Sequence, residues 1–400
     1  MGLTVVSTFF PLPPDRGDPV RVLMMLRAIS RIRPFTLAVV RRPDTTDDQV
    51  ARLRAMLPEV EVRDYPATPY RLDRLGPLGR YPEAMADGLP PWVRSRYSQP
   101  LHDDLRSRDG AGIAIGEAAA VYFRGTRLRW HWDKANVLAG STRGDIAEAE
   151  DLAHQLRARY LAGISTRFES RALSRCATVS VTSAQESARL AEHHGRTADF
   201  TLPSCVPVPV GHVPRPQERH LVWLSSFAYR SNLSGLRHFL DRGWPALRRA
   251  GFRLTLVGSG LTDRVQASLA PVDGLDVRGY LEDLRPVLAE ARAAVVPVWS
   301  GAGVKLKTLT LLAHSVPVFT TPVGAEGVPE TAAVRLADTP EALAAEILRA
   351  SAAELDTMAA AGSVLIGDQF SEDRFAERLI GALAVHGYLD VSGTASRGGQ

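Results

Sequence analysis

Between Leu221 and Thr320, short apolar runs alternate with amphipathic stretches of about ten residues, and few folds accept that rhythm. The strand-like runs are Leu221–Leu224, Arg253–Val257, Leu275–Val277, Ala293–Pro297 and Pro317–Thr320. Helical patterns lie between them at Leu233–Leu240, Leu261–Leu269, Leu284–Ala291 and Val304–Ala313. Such alternation indicates βαβ units and a parallel sheet. Runs such as AAVVPV are apolar on both faces, as a sheet covered on two sides requires. The first half carries the same theme at Leu3–Thr8, Phe35–Val40, Val60–Val62, Ile113–Ile115, Arg129–Trp132 and Thr178–Val181, with a long helical stretch from about Ile146 to Arg175.

With 400 residues, there is chain enough for two cores. The segment 202–217 holds five prolines and no helical period, which marks an interdomain linker. The reading is a domain over 1–210, a second over 218–370, a C-terminal helix within 371–390 that crosses back to the first, and a disordered tail over 391–400. Cys176 and Cys205 match no metal spacing and make no disulfide framework, so a reduced, cytoplasmic setting is expected. The apolar opening Leu3–Phe10 lacks a basic leader and runs into prolines, so it reads as a strand. A net charge of +4 suits an anionic ligand, while the absence of a basic stripe argues against nucleic acid. Arg-bearing helices such as Asp47–Leu57 admit weak peripheral contact with the inner membrane face, against the plainer reading of a solvated helix.

Three stretches carry chemistry. Trp299-Ser300-Gly301-Ala302-Gly303-Val304-Lys305-Leu306-Lys307 ends a buried strand, makes a Gly-x-Gly turn and opens a helix. The free N–H groups of a first helical turn and the positive end of its dipole make an anion site there, to which Lys305 or Lys307 adds a full charge. These are two of only three lysines among 48 basic residues, the third being Lys134. Near the N-terminus, Gly17 permits a turn after the first strand, Asp18 is placed to cap a helix with Pro19 first inside it, and Arg21 lies one turn on, within reach of a phosphate. Weaker features are Val257-Gly258-Ser259-Gly260, the polar run His131 to Asn136, and Pro322 to Gly327; for each, a plain turn or a structural histidine competes with a binding role. No GxSxG, HExxH, GxxxxGK[ST], complete GxGxxG or CxxC occurs, which sets aside the commonest hydrolases, kinases, dehydrogenases and zinc enzymes.

In order and spacing, VWLSSFAYRSNLSGLRHFL, LTLVGSG, VRGYLEDLRPVLAEARAAVVPVWSGAGVKLK and VPVFTTPVGAEGV resemble the family-4 retaining glycosyltransferases, in the bacterial branch with a GxGxKxK loop. The resemblance implies an α/β chain of GT-B architecture: two Rossmann-like domains facing across a cleft, the N-terminal one for the acceptor and the C-terminal one for a nucleotide sugar. It places Gly17, Gly258, Gly279, Tyr280, Leu281, Gly301, Gly303, Val304 and Thr310 at the donor, and His131, Asp133 and Asn136 at the sugar or acceptor. Lys305, Lys307 and Arg21 would stabilise the leaving diphosphate. No metal and no cofactor is expected beyond the nucleotide-sugar co-substrate; the acceptor is a sugar, a lipid-linked molecule or a natural product. One departure stands out. Thr310 occupies the position where the family usually has Glu on the ribose hydroxyls, and a non-catalytic accessory protein is the alternative it suggests.

Overall fold

The computed structural model describes residues 2–14, 17–139, 152–206, 216, 218–269, 272–301 and 303–390. The chain divides into two compact units, Met1–Pro203 with Phe375–Gln400, and Ser204–Arg374. Most of the proline-rich segment 207–217 and the whole tail 391–400 lie outside the described residues.

The first unit is built on a seven-stranded parallel sheet, in the order β3-β2-β1-β4-β5-β6-β7. Its strands are β1 (Leu3–Ser7), β2 (Phe35–Arg41), β3 (Val60–Pro66), β4 (Ala111–Ile115), β5 (Arg129–Asp133), β6 (Thr178–Val181) and β7 (Phe200–Thr201). Every residue of β1 is buried, as the centre of a doubly covered sheet demands, whereas edge strand β3 alternates buried Val60 and Val62 with exposed Glu61 and Arg63. Gly112 on β4 leaves room for an indole, since a Cβ there would sit 2.6 Å from the Trp130 ring. The two-residue β7 is too short to show a period in the sequence. From Phe375 onward the helix Glu372–Val385 belongs to this unit, and so do His386 and Tyr388: Arg129 donates to the His386 carbonyl at 2.7 Å and lies 4.6 Å from the Tyr388 ring.

The second unit carries a six-stranded parallel sheet, ordered β10-β9-β8-β11-β12-β13. Here β8 is His220–Leu224, β9 Arg253–Val257, β10 Leu275–Gly279, β11 Ala293–Val296, β12 Val318–Thr320 and β13 Val334–Leu336. Successive side chains feed two cores. Leu221, Trp223, Ala293 and Val295 enter one, and Val222, Leu224, Ala294 and Val296 the other. Helices cover both faces, among them Arg230–Arg242, Leu306–Ala313, Pro340–Arg349 and Ala352–Leu365. The edge strand β13, with Arg335 and Leu336 exposed, escapes the sequence pattern because it buries too little to be apolar.

Two sequence expectations shift. The first helix runs Gly17–Ser30, so Gly17 opens the helix and Asp18 and Pro19 stand inside its first turn; Pro19 still costs nothing, because those N–H groups have no helical partner. Asp15 and Arg16 lie outside the described residues. The helix expected from Val304 starts at Leu306, because Gly303 takes φ +82° and Lys305 an extended conformation.

Candidate functional site

In an open parallel sheet, loops leaving two neighbouring strands in opposite directions open a crevice at their carboxyl ends, and ligands bind there. In the second sheet the strand order reverses between β8 and β11. The loop after β8 holds Ser225 to Tyr229, and the loop after β11 holds Pro297 to Lys305. The Gly-x-Gly turn singled out in the sequence therefore stands at the switch point of its own sheet.

Three loops meet there. Gly258, at φ +142°, lies so close to the loop after β8 that a Cβ would fall 1.6 Å from the Ser225 carbonyl oxygen. The Ser225 N–H donates to Val257 at 2.9 Å, the Phe227 N–H to Ser259 at 2.7 Å, and the Ser226 and Ser259 hydroxyls are 3.0 Å apart. Gly301 and Gly303 both take positive φ, +111° and +82°, a conformation open to glycine and strained for other residues. Helix Leu306–Ala313 then points its first turn toward this loop, and Thr308 ties it to the following loop by a 2.8 Å bond to the Gly324 carbonyl.

The two lysines do different things. Lys305 donates to the Gly303 carbonyl at 2.8 Å, and its ammonium is 3.7 Å from the Glu326 carboxylate. Lys307 donates to the Asn232 amide oxygen at 2.6 Å and the Ser225 hydroxyl at 3.2 Å. Both acceptors are neutral. Desolvation, with Lys305 nearby adding to it, pulls the Lys307 ammonium down to about 7. A partly desolvated cation on neutral partners favours the arrival of an anion, because the anion restores the charge balance that desolvation denies.

The other donor candidates sit around this centre. Gly279 (φ +67°) has open space where a Cβ would be, and Tyr280 beside it is 53% exposed. Leu281 and Val304 pack on the core, and Thr310 is partly buried on helix Leu306–Ala313. Asn232 and Ser225 were not singled out by the sequence. A polar residue in a first helical turn is too common to signal a contact with a lysine 75 positions away.

In the first unit, the structure corrects several expectations. Arg21 does not stand ready for a phosphate: its guanidinium is buried and grips both Asp133 oxygens at 2.6 Å, with the Leu202 carbonyl at 3.1 Å. Asp133 also accepts from Ser180 at 2.7 Å and is wholly buried, so this pair joins the first helix to the sheet and leaves the carboxylate no room for a sugar. His131 is likewise interior. It bonds to Thr178 and Ser180 at 2.9 and 3.2 Å and stacks on Phe200 at 5.1 Å, and burial holds it near 4 and thus neutral. Of the three sugar or acceptor candidates only Asn136 is partly exposed, its backbone N–H fixed on Glu117 at 2.7 Å. Gly17 is exposed.

The third lysine, Lys134, is fully buried. Its ammonium lies 2.5 Å from Glu169 and 3.9 Å from the Trp132 ring centre. Glu169 also accepts from His194 at 2.8 Å and from the Leu138 and Ala139 N–H groups at 2.9 and 3.2 Å. Despite burial, these donors hold its carboxyl down at about 2. On helix Asp47–Met56, Arg52 pairs with Asp48 at 2.8 Å and Arg54 with Asp64 at 3.0 Å, which suits a solvated face. Among the described residues, no helix is long and apolar enough to cross a membrane.

Comparison with known proteins agrees with this architecture. Residues 218–352 match the family model "Glycosyl transferases group 1". No curated protein matches the sequence. Among solved structures, Anabaena Alr3699/HepE in complex with UDP and glucose is similar at a TM-score of 0.67 and 12% identity, over 96% of this chain and 100% of that one. WaaG, a glycosyltransferase involved in lipopolysaccharide biosynthesis, gives 0.61 and 14%, over 95% and 100%. A glycosyltransferase from Rickettsia africae ESF-5 gives 0.59 and 12%, over 96% and 98%. Identities this low speak for the fold alone. The chain has the GT-B fold, two parallel-sheet α/β domains, and its residues 218–352 match the glycosyl transferases group 1 model.

Proposed function

We propose that this protein transfers a sugar from a nucleoside-diphosphate sugar to an acceptor hydroxyl, with retention at the anomeric carbon and without a metal. The observation that carries the reading is Lys307, a partly buried ammonium on neutral partners at the switch point of the second sheet, beside Lys305 and the glycine turn that precedes helix Leu306–Ala313. A diphosphate supplies the missing negative charge, and the helix N-terminus favours it further. The family match over 218–352 and the UDP bound to Alr3699/HepE support the choice of anion.

The leaving group acquires negative charge as the glycosidic bond to phosphate breaks. Lys307 and Lys305, already placed, stabilise that charge without reorganising, which is where most of the rate gain would arise. The acceptor hydroxyl attacks from the face the diphosphate leaves, and a leaving phosphate oxygen takes its proton. In this reading the second unit binds the donor and the first the acceptor, with Asn136 as the partly exposed polar group of its stretch.

A second reading, a nucleotide-binding accessory protein without turnover, is favoured by Thr310, which offers one neutral hydrogen bond where a carboxylate would offer charge-assisted ones. A melting panel with UDP, GDP, ADP and dTDP tests the site, since a ligand held only by the native state raises Tm. One clear shift followed by hydrolysis or transfer of the matching sugar nucleotide establishes the enzyme. A shift with no turnover favours the accessory reading, and no shift at millimolar ligand overturns the nucleotide site.

A further inference from the structure

A lysine side chain has four rotatable bonds, so an ammonium that must meet a ligand in one place needs something to hold it. Lys307 has three N–H donors, and two are engaged, by the Asn232 amide oxygen at 2.6 Å and the Ser225 hydroxyl at 3.2 Å. Asn232 is itself fixed, because its amide nitrogen donates to the Ser226 carbonyl at 2.8 Å. The two ends of this amide are not interchangeable. Turning it round would set NH₂ against an ammonium and oxygen against a carbonyl oxygen, two repulsive contacts in place of two bonds.

We propose that Asn232 is a positioning residue that aims the Lys307 ammonium at a phosphate of the ligand, and that it is asparagine because the position needs a neutral acceptor on one side and a donor on the other. The inference rests on the anion site proposed above. A carboxylate at 232 would neutralise Lys307 and compete with the phosphate; an apolar side chain would leave the ammonium without its shorter bond. Helix Arg230–Arg242 and the loop before it thus present neutral groups to Lys307, Asn232 and Ser225. Among the described residues, the charge acting on Lys307 is that of Lys305, two residues earlier, whose ammonium is in turn 3.7 Å from Glu326.

The arrangement makes phosphate binding depend on the protonation of Lys307, and residue 232 sets where that dependence falls. Since the ammonium is held at about 7, affinity should be full below that pH and decline roughly tenfold per unit above it, until the complex's own, higher value is reached. Calorimetry of inorganic pyrophosphate and of UDP, from about pH 5.5 to about pH 9, reads this break once the probe's own phosphate ionisation near pH ~6, common to every variant, is divided out. In N232L the break should move down by about one pH unit, because an ammonium with fewer acceptors loses its proton sooner. N232D should move it up by at least about one unit while weakening binding roughly tenfold at low pH. S225A, a milder variant retained in case N232L does not fold, should shift the break in the same direction as N232L but less far. A merely structural asparagine would weaken binding in every variant with the break unmoved, and that result overturns the proposal. Wild-type protein that binds neither probe refutes the anion site itself, which separates failure of that reading from failure of this one.

Discussion

Replacing Glu169 by glutamine tests the interior of the first unit at its most charged point. Glu169 and Lys134 are both wholly buried and 2.5 Å apart, and the same carboxylate holds His194, Leu138 N–H and Ala139 N–H. Its carboxyl is held at about 2 against an ordinary 4.5. At about 1.4 kcal/mol per unit, that difference is worth about 3 kcal/mol. Because the folded value is the lower one, this stability is present above about pH 4.5 and lost as the pH falls toward 2. E169Q removes the charge and strands the Lys134 ammonium in the interior, which costs about 3–5 kcal/mol. The double variant K134M/E169L removes both charges and should lose less than the sum of its single variants by about 2 kcal/mol or more. Denaturant unfolding read by hydrogen exchange in β5 and β6 measures these values without interference from the second unit. Should E169Q lose less than about 1 kcal/mol, or should the double variant prove additive, the pair is not a coupled interior unit and the reasoning falls.

Four further outcomes follow from particular contacts. His131 is held near 4 by burial against an ordinary 6.5, so the unfolded chain takes its proton first as pH falls; His131→Asn should flatten the loss of stability between those values, about 3 kcal/mol in wild type, in the same exchange experiment. Gly258→Ala places a methyl 1.6 Å from the Ser225 carbonyl oxygen, so calorimetry should show a stability loss of about 3 kcal/mol or more, together with lost pyrophosphate binding as the loop parts from Ser225. Lys305→Ala should lower kcat about 10²–10³-fold, the loss of one preorganised charge, and unchanged kinetics would remove Lys305 from the mechanism. Thr310→Glu should tighten UDP roughly five- to tenfold through charge-assisted bonds to ribose while leaving pyrophosphate affinity as it was; equal gains for both ligands would place residue 310 elsewhere.

The sequence by itself determined what repeats and what is local. Short, unbroken apolar runs at β8 and β11, separated by helical stretches, leave little besides a doubly covered parallel sheet, and each such strand was readable because it is buried on both faces. The glycine turn at 301–303 was readable too, since positive φ before a helix is a local demand that glycine meets at least cost. Only the tertiary structure decided which polar side chains are interior. Arg21, His131 and Asp133 look like ligand groups in the sequence, yet Arg21 and Asp133 satisfy each other across 112 residues and His131 stacks on Phe200. Conversely, nothing local to Asn232 shows that it meets Lys307, because strand order brings the loop after β8 beside the loop after β11. A hydrophobic period is a property of one segment, whereas the partner of a charge is a property of which segments the sheet makes neighbours.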